Sequence, residues 1–128
     1  MGFVFLAMDR GTPKKRIIET LEASGVAFTD VGMGVNEVDG ALLGLVRTTT
    51  STSTKRDHVA QRIPLVDMET DNDYAHNIQI ADLNALNAAF AVIKWKKLCG
   101  FYTDQEHEHS STYMLGGNHI VNDDRATQ

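Results

Sequence analysis

The chain has 128 residues, 42% of them hydrophobic, and a formal charge of -5 at pH 7. That length suits one hydrophobic core and is short for two ordinary domains, and the acidic balance excludes a broad basic surface for neutralising phosphates, so no nucleic acid is expected as a partner. Cys99 is the single cysteine, which leaves no internal disulfide and no cysteine-rich zinc knot and fits a reducing, cytoplasmic setting.

The first expected element is a strand. "FVFLAM", from Phe3 to Met8, lacks the charged leader and small-residue cleavage site of a signal peptide. No stretch approaches the roughly 20 apolar residues a membrane helix needs, so no membrane is expected either. The run ends in Asp9, and helix-start signals follow at once. Thr12 can serve as N-cap, Pro13 suits a first turn, and Ile17, Ile18 and Leu21 form an apolar stripe that stops before Gly25. A helix over Pro13 to Ser24 results. "VAFTDVGMGV" reads as a second strand, parallel to the first because a helix connects them. Gly32 and Gly34 mark a close approach or a bend in it.

Asp39-Gly40 is a turn signal ahead of a β-rich run, so the chain doubles back as a hairpin and the sheet becomes mixed. "TTTSTSTKRDHVAQR" has neither helical nor strand period and is read as an exposed, mobile connection running through to "METDNDYAHN", with "RIPLVD" packing briefly. From Ile78 the pattern becomes helical. Leu83, Leu86, Phe90 and Ile93 line one face, Ala85, Ala88, Val92 and Trp95 a second, and Asn84, Asn87, Ala91 and Lys94 a narrower third, which predicts a largely buried helix ending near Cys99, with Gly100 as its cap. Trp95 is read as core, or as part of an interface where a face is left uncovered. In "STYMLGGNHIVND", Gly116-Gly117 predicts a tight two-residue closing hairpin.

This order of parts resembles the second half of the ThiF/MoeB family, the adenylyltransferases related to ubiquitin-activating enzymes. "FVFLAMDRG", "VGMGVNEVDGALLGLV", "TTTSTSTKRDHV" and "IADLNALNAAFAVIKWKKLCGFY" are similar to that family's Asp-tipped strand, its glycine-containing hairpin, its crossover and its alanine-rich closing helix. The resemblance implies an α/β fold with an incomplete Rossmann-like mixed sheet: a parallel βαβ start, a return hairpin, a long buried helix and a closing hairpin. Residues 1–128 would form the C-terminal portion of a single adenylyltransferase domain, without its glycine-rich nucleotide loop.

The implied activity is ATP-dependent formation of an acyl-adenylate on the C-terminal carboxylate of a ubiquitin-like or sulfur-carrier protein. Asp9 matches the family's catalytic acid that helps hold Mg²⁺ and the ATP phosphates. A hard carboxylate oxygen suits that ion. The alternative reading of Asp9 is an acid that only caps the helix that follows. Arg10 stands where relatives often carry Asn, and Lys14 near where they carry Arg; both remain phosphate candidates, Lys14 as a point charge in place of a fork. Without backbone amides to cradle phosphate, the chain alone is expected to bind ATP poorly. The paired C-x-x-C motifs of many relatives are not in the sequence, so no zinc is expected, and thioester chemistry on the crossover is not expected either. The partners implied are the carrier protein and either a second copy, as a homo-oligomer, or a missing N-terminal half. The alternative is a non-catalytic binding or dimerisation module that keeps the scaffold.

Other polar clusters have simpler readings. Cys99, at a helix C-terminus where the dipole disfavours a thiolate, is read as a packed or half-buried structural thiol. His107 and His109, beside Glu106 and Glu108, make an incomplete zinc site and are read as a solvated polar loop.

Overall fold

The computed structural model describes residues 2–8, 11–63 and 80–125. Its strands are β1 (Phe3–Leu6), β2 (Ala27–Val38), β3 (Ala41–Ser51), β4 (Ser110–Met114) and β5 (His119–Asp123), and they lie side by side in chain order. β1 pairs parallel to β2, and every later pair is antiparallel. Helix α1 (Gly11–Ala23) connects β1 to β2, the single turn α2 (Val59–Arg62) follows β3, and α3 (Ala81–Leu98) precedes β4. The architecture is the expected α/β one with a mixed sheet, in keeping with an incomplete Rossmann-like fold.

α1 begins two residues earlier than expected, at Gly11, so Thr12 and Pro13 lie inside its first turn. Proline is tolerated there because the first helical N–H groups have no intrahelical acceptor. Gly11, Lys14 and Ile18 are buried, with Leu21 packed beside them; steps of three and four residues put all of them on one face. The helix closes with Gly25 N–H donating to Glu22 O at 3.1 Å and Val26 N–H to Leu21 O at 2.9 Å. The same pair of bonds closes α3, from Gly100 to Lys97 at 3.1 Å and from Phe101 to Lys96 at 2.9 Å. Between β2 and β3, Val38 pairs with Ala41, leaving Asp39 (φ 52°) and Gly40 (φ 84°) as a two-residue turn with both residues left-handed. That turn type matches the right-handed twist of the flanking strands.

The sheet buries a different cluster on each face. Leu6 and Phe28 pack with Ile18 of α1 and with Val59 and Ile63. Val35 and Val46 pack with Leu83 of α3, joined by Met33, Leu86, Phe90 and Tyr113. Parts of "TTTSTSTKRDHVAQR" differ from the reading as an exposed connection: Thr48, Thr49, Thr50 and Ser51 are buried in β3, and His58 and Val59 are buried after it, while Ser53, Thr54, Asp57, Ala60 and Gln61 are exposed and Ile63 is buried, in line with the packing expected of "RIPLVD". Hydroxyl residues are buried at low cost where their oxygens are paired. Thr29 and Thr50 hydroxyls meet at 3.0 Å, and Arg56 Nη1 donates to Ser51 Oγ at 2.7 Å. The remainder of "RIPLVD", after Ile63, and "METDNDYAHN" lie outside the described residues, as does Ile78.

α3 is buried along one stripe rather than all round: Leu83, Asn87, Ala91 and Lys94 face inward, while Val92, Ile93, Trp95 and Leu98 stay substantially exposed. The apolar second face is therefore not core, and Trp95 is 37% exposed, with Phe5 of β1 edge-on at 6.2 Å between ring centroids. Cys99 is exposed rather than packed, because the helix ends beyond the sheet's cover. The closing hairpin turns through four residues, with Met114 paired to His119 and Asn118 at φ 48°. A Cβ on Gly116 would lie 2.6 Å from Leu43 Cδ1, the tip of a half-exposed side chain that can turn aside.

Candidate functional site

The two residues between Met8 and Gly11, Asp9 and Arg10, lie outside the described residues. Lys14 is described, and it sits one turn into α1 with its ammonium turned toward the sheet. Lys14 Nζ lies 3.0 Å from Asp30 Oδ1, with side-chain exposures of 5% and 0%. The charges touch without the alignment of a hydrogen bond. Asp30 is the β2 residue in register with Leu6, the last residue of β1, so its carboxylate stands beside the tip of the first strand. Its other oxygen, Oδ2, accepts a 2.7 Å hydrogen bond from Arg47 Nη2 on β3. Arg47 Nη1 donates to Thr49 Oγ1, also at 2.7 Å.

Backbone alternation makes this possible. Asp30, Gly32, Arg47 and Thr49 occupy positions of β2 and β3 that share the face packed by α1, with Asp30 opposite Thr49 and Gly32 opposite Arg47. Gly32 is required by the guanidinium, since a Cβ there would come within 2.5 Å of Arg47 Nη2. Two cations thus share one buried carboxylate at the N-terminal end of α1, where the helix dipole also favours negative charge. Among the described residues the cluster holds two cations to one carboxylate, a local excess of positive charge beside the start of α1.

Of the residues expected at the strand tip, only Lys14 is described, and its ammonium contacts a protein carboxylate, Asp30. Asp30 and Arg47 were not anticipated. The signal for them was available: an acid inside "VAFTDVGMGV" and a base inside "GLVRTTT" are charges within apolar or β-prone runs, where burial demands a partner.

A second polar cluster lies on the opposite face of the sheet, under the C-terminal half of α3. Lys94 Nζ donates to Asp104 Oδ2 at 3.1 Å and lies 3.9 Å from Glu108 Oε1, and Lys97 Nζ donates to the same Glu108 oxygen at 3.1 Å. Glu108 and His109 are buried, which corrects the reading of this segment as solvated loop. The segment is held down by His109 N–H bonds to the carbonyls of Asp123 and Asp124 and by Thr50 N–H donating to His109 O. Burial resists ionisation of Asp104, yet the hydrogen bond and charge of Lys94 outweigh it and hold the carboxyl below its usual range. Burial pushes the His109 imidazole below its ordinary value, aided by the charge of Lys94, although Nδ1 bonds the His107 carbonyl at 3.0 Å. With Nδ1–H donating to that carbonyl, Nε2 is left as an acceptor.

Among the described residues, no three His, Cys, Asp or Glu side chains converge as a metal site, and no helix is long and apolar enough to cross a membrane. No family model, no curated protein and no solved structure matches the chain.

Proposed function

We propose that the chain forms the C-terminal portion of a ThiF/MoeB-type adenylyltransferase that activates the C-terminal carboxylate of a ubiquitin-like or sulfur-carrier protein as an acyl-adenylate, releasing pyrophosphate. The observation that carries this reading is the Lys14–Asp30–Arg47 cluster: two cations on one carboxylate, beside the tip of a parallel strand and the start of the helix that follows it. In open α/β sheets ligands bind beyond the carboxyl ends of the strands, and helix N-termini favour phosphate. Both cations are engaged by Asp30, so the cluster supports the reading through its positive field rather than through free donors.

In this reading Asp9 holds Mg²⁺, which when bound offsets phosphate charge as the carrier carboxylate attacks. Arg10 contacts phosphate. Lys14 contributes chiefly through its field, because its ammonium is engaged by Asp30. The glycine-rich loop that cradles ATP comes from outside these residues. The protein works in the cytoplasm, where its lone cysteine stays reduced.

The test is exchange of labelled pyrophosphate into ATP, dependent on carrier protein, with this chain supplemented by a segment bearing the nucleotide loop. Exchange that requires both parts is expected; none with any carrier would overturn the reading. A binding or dimerisation module is the second reading, favoured by β1, which pairs only with β2 among the described residues and leaves Phe5 45% exposed. That reading predicts a concentration-dependent dimer in sedimentation, weakened by Phe5→Lys, and no exchange.

A further inference from the structure

The second cluster borders a cavity of about 210 Å³ between α3 and the face of β3, β4 and β5. Phe90, Ile93, Tyr113 and Ile120 give it apolar walls, and Ile93 and Ile120 are exposed at its rim. Thr48, Lys94, Glu108 and His109 line its polar part. The volume exceeds that of a cavity able to take a benzene ring, about 150 Å³.

Two oxygens there lack a partner among the described residues. Glu108 is 6% exposed, and its Oε1 accepts from Lys97, but Oε2 accepts from nothing. Thr48 is 5% exposed, and its Oγ1 is likewise unpaired. Buried oxygens are almost always hydrogen-bonded, so a pair of orphans lining one cavity points to a guest with donors. A carboxylate oxygen can only accept, so the guest must donate to it.

Charge narrows the class further. Lys94 and Lys97 are matched by Asp104 and Glu108, so the buried network is balanced. Glu106, at the mouth, is paired with Arg125. An anion would face the free carboxylate oxygen, and a cation would leave an uncompensated charge in a poorly solvated site. A neutral donor satisfies Glu108 without either penalty.

We propose that this cavity binds a small neutral amphiphile, its apolar body against Phe90, Ile93, Tyr113 and Ile120 and its hydroxyl or primary amide donating to Glu108 Oε2. The site lies on the opposite sheet face from the Lys14 cluster and does not depend on the adenylyltransferase reading.

The experiment is an amide-detected NMR titration of the full chain with benzyl alcohol, toluene and benzoate as probes. Benzyl alcohol should give saturable shifts centred on Glu108 and Ser111, with at least fivefold higher affinity than toluene, and benzoate should not saturate. Ile93→Trp, at the exposed rim, should fill the cavity and abolish binding with the spectrum otherwise retained. Glu108→Gln, a weaker acceptor, should narrow the preference for the alcohol. Equal affinities for benzyl alcohol and toluene would reduce the cavity to an apolar gap and overturn the proposal. So would tighter binding of benzoate, binding indifferent to Ile93→Trp, or no saturable shift with any probe.

Discussion

Lys14 Nζ and Asp30 Oδ1 meet at 3.0 Å inside the protein, tying the first turn of α1 to the β2 position that pairs with the end of β1. The contact joins helix, strand and strand tip at the point where α1 begins. Removing the acid leaves Lys14 and Arg47 facing each other without a counter-charge. Asp30→Ala is therefore expected to cost about 3–5 kcal/mol, the range for breaking a buried pair. Lys14→Met should cost less, because Arg47 still satisfies Oδ2 of Asp30. Urea unfolding of both variants checks the order; equal losses would mean that Arg47 does not compensate.

Gly32 gives a more local test. Its substitution by alanine places a Cβ 2.5 Å from Arg47 Nη2, so the guanidinium must swing away from Asp30. A loss of about 1–3 kcal/mol is expected, the usual cost of breaking a hydrogen bond that leaves a buried charged group underserved. In an Arg47→Met background the same substitution should cost far less. A double-mutant cycle by denaturant unfolding measures that coupling, and additive effects would place the cost of Gly32→Ala elsewhere.

His109 sets a pH dependence with a definite sign. Burial first, and then the Lys94 charge, lower its folded value below 6.5. The unfolded chain therefore takes up a proton that the folded chain resists, and folding loses stability as pH falls below about 6.5 until the folded imidazole also titrates. Asp104 acts lower on the scale: with its folded value held under 3.8, its contribution is present above 3.8 and disappears as pH drops through that depressed value. Melting temperatures between pH 7 and pH 5 should decline, and His109→Gln should flatten the decline. An unchanged slope in that variant would assign it to other groups.

What the sequence made legible was local. Asp39-Gly40 specifies its turn through backbone conformation alone, and Gly100 ends α3 by the same means, so both were readable without the fold. The buried hydroxyl run from Thr48 to Ser51 was not, because its composition is that of a loop until Thr29 and Arg56 are brought alongside. Lys94 was hidden for a related reason. The pattern groups Lys94 with Asn87 and Ala91 on the narrowest of three faces, and only Asp104 and Glu108, folding back from beyond the helix end, allow that face to be the buried one. Asp30 and Arg47 fell between these cases: each stands out as a charge in a strand, but which charges pair depends on register and on where α1 lies.

The last prediction separates chemistry from folding at the strand tip. Asp9 is expected to hold Mg²⁺, whereas Lys14 is committed to a structural ion pair, so substitutions at the two should diverge. Asp9→Asn preserves shape and capping ability while removing a charged oxygen from the metal. In the preparation supplemented with the nucleotide loop, pyrophosphate exchange should fall about a hundredfold or more, on the order of 3 kcal/mol of lost transition-state stabilisation, and the melt should hold. Lys14→Met should instead lower the melt, with exchange reduced mainly in proportion to the folded fraction. Exchange unchanged by Asp9→Asn would remove that acid from the site. Exchange lost together with the melt would leave it a capping residue, and the anion-attracting role would then fall to the Lys14–Asp30–Arg47 cluster alone.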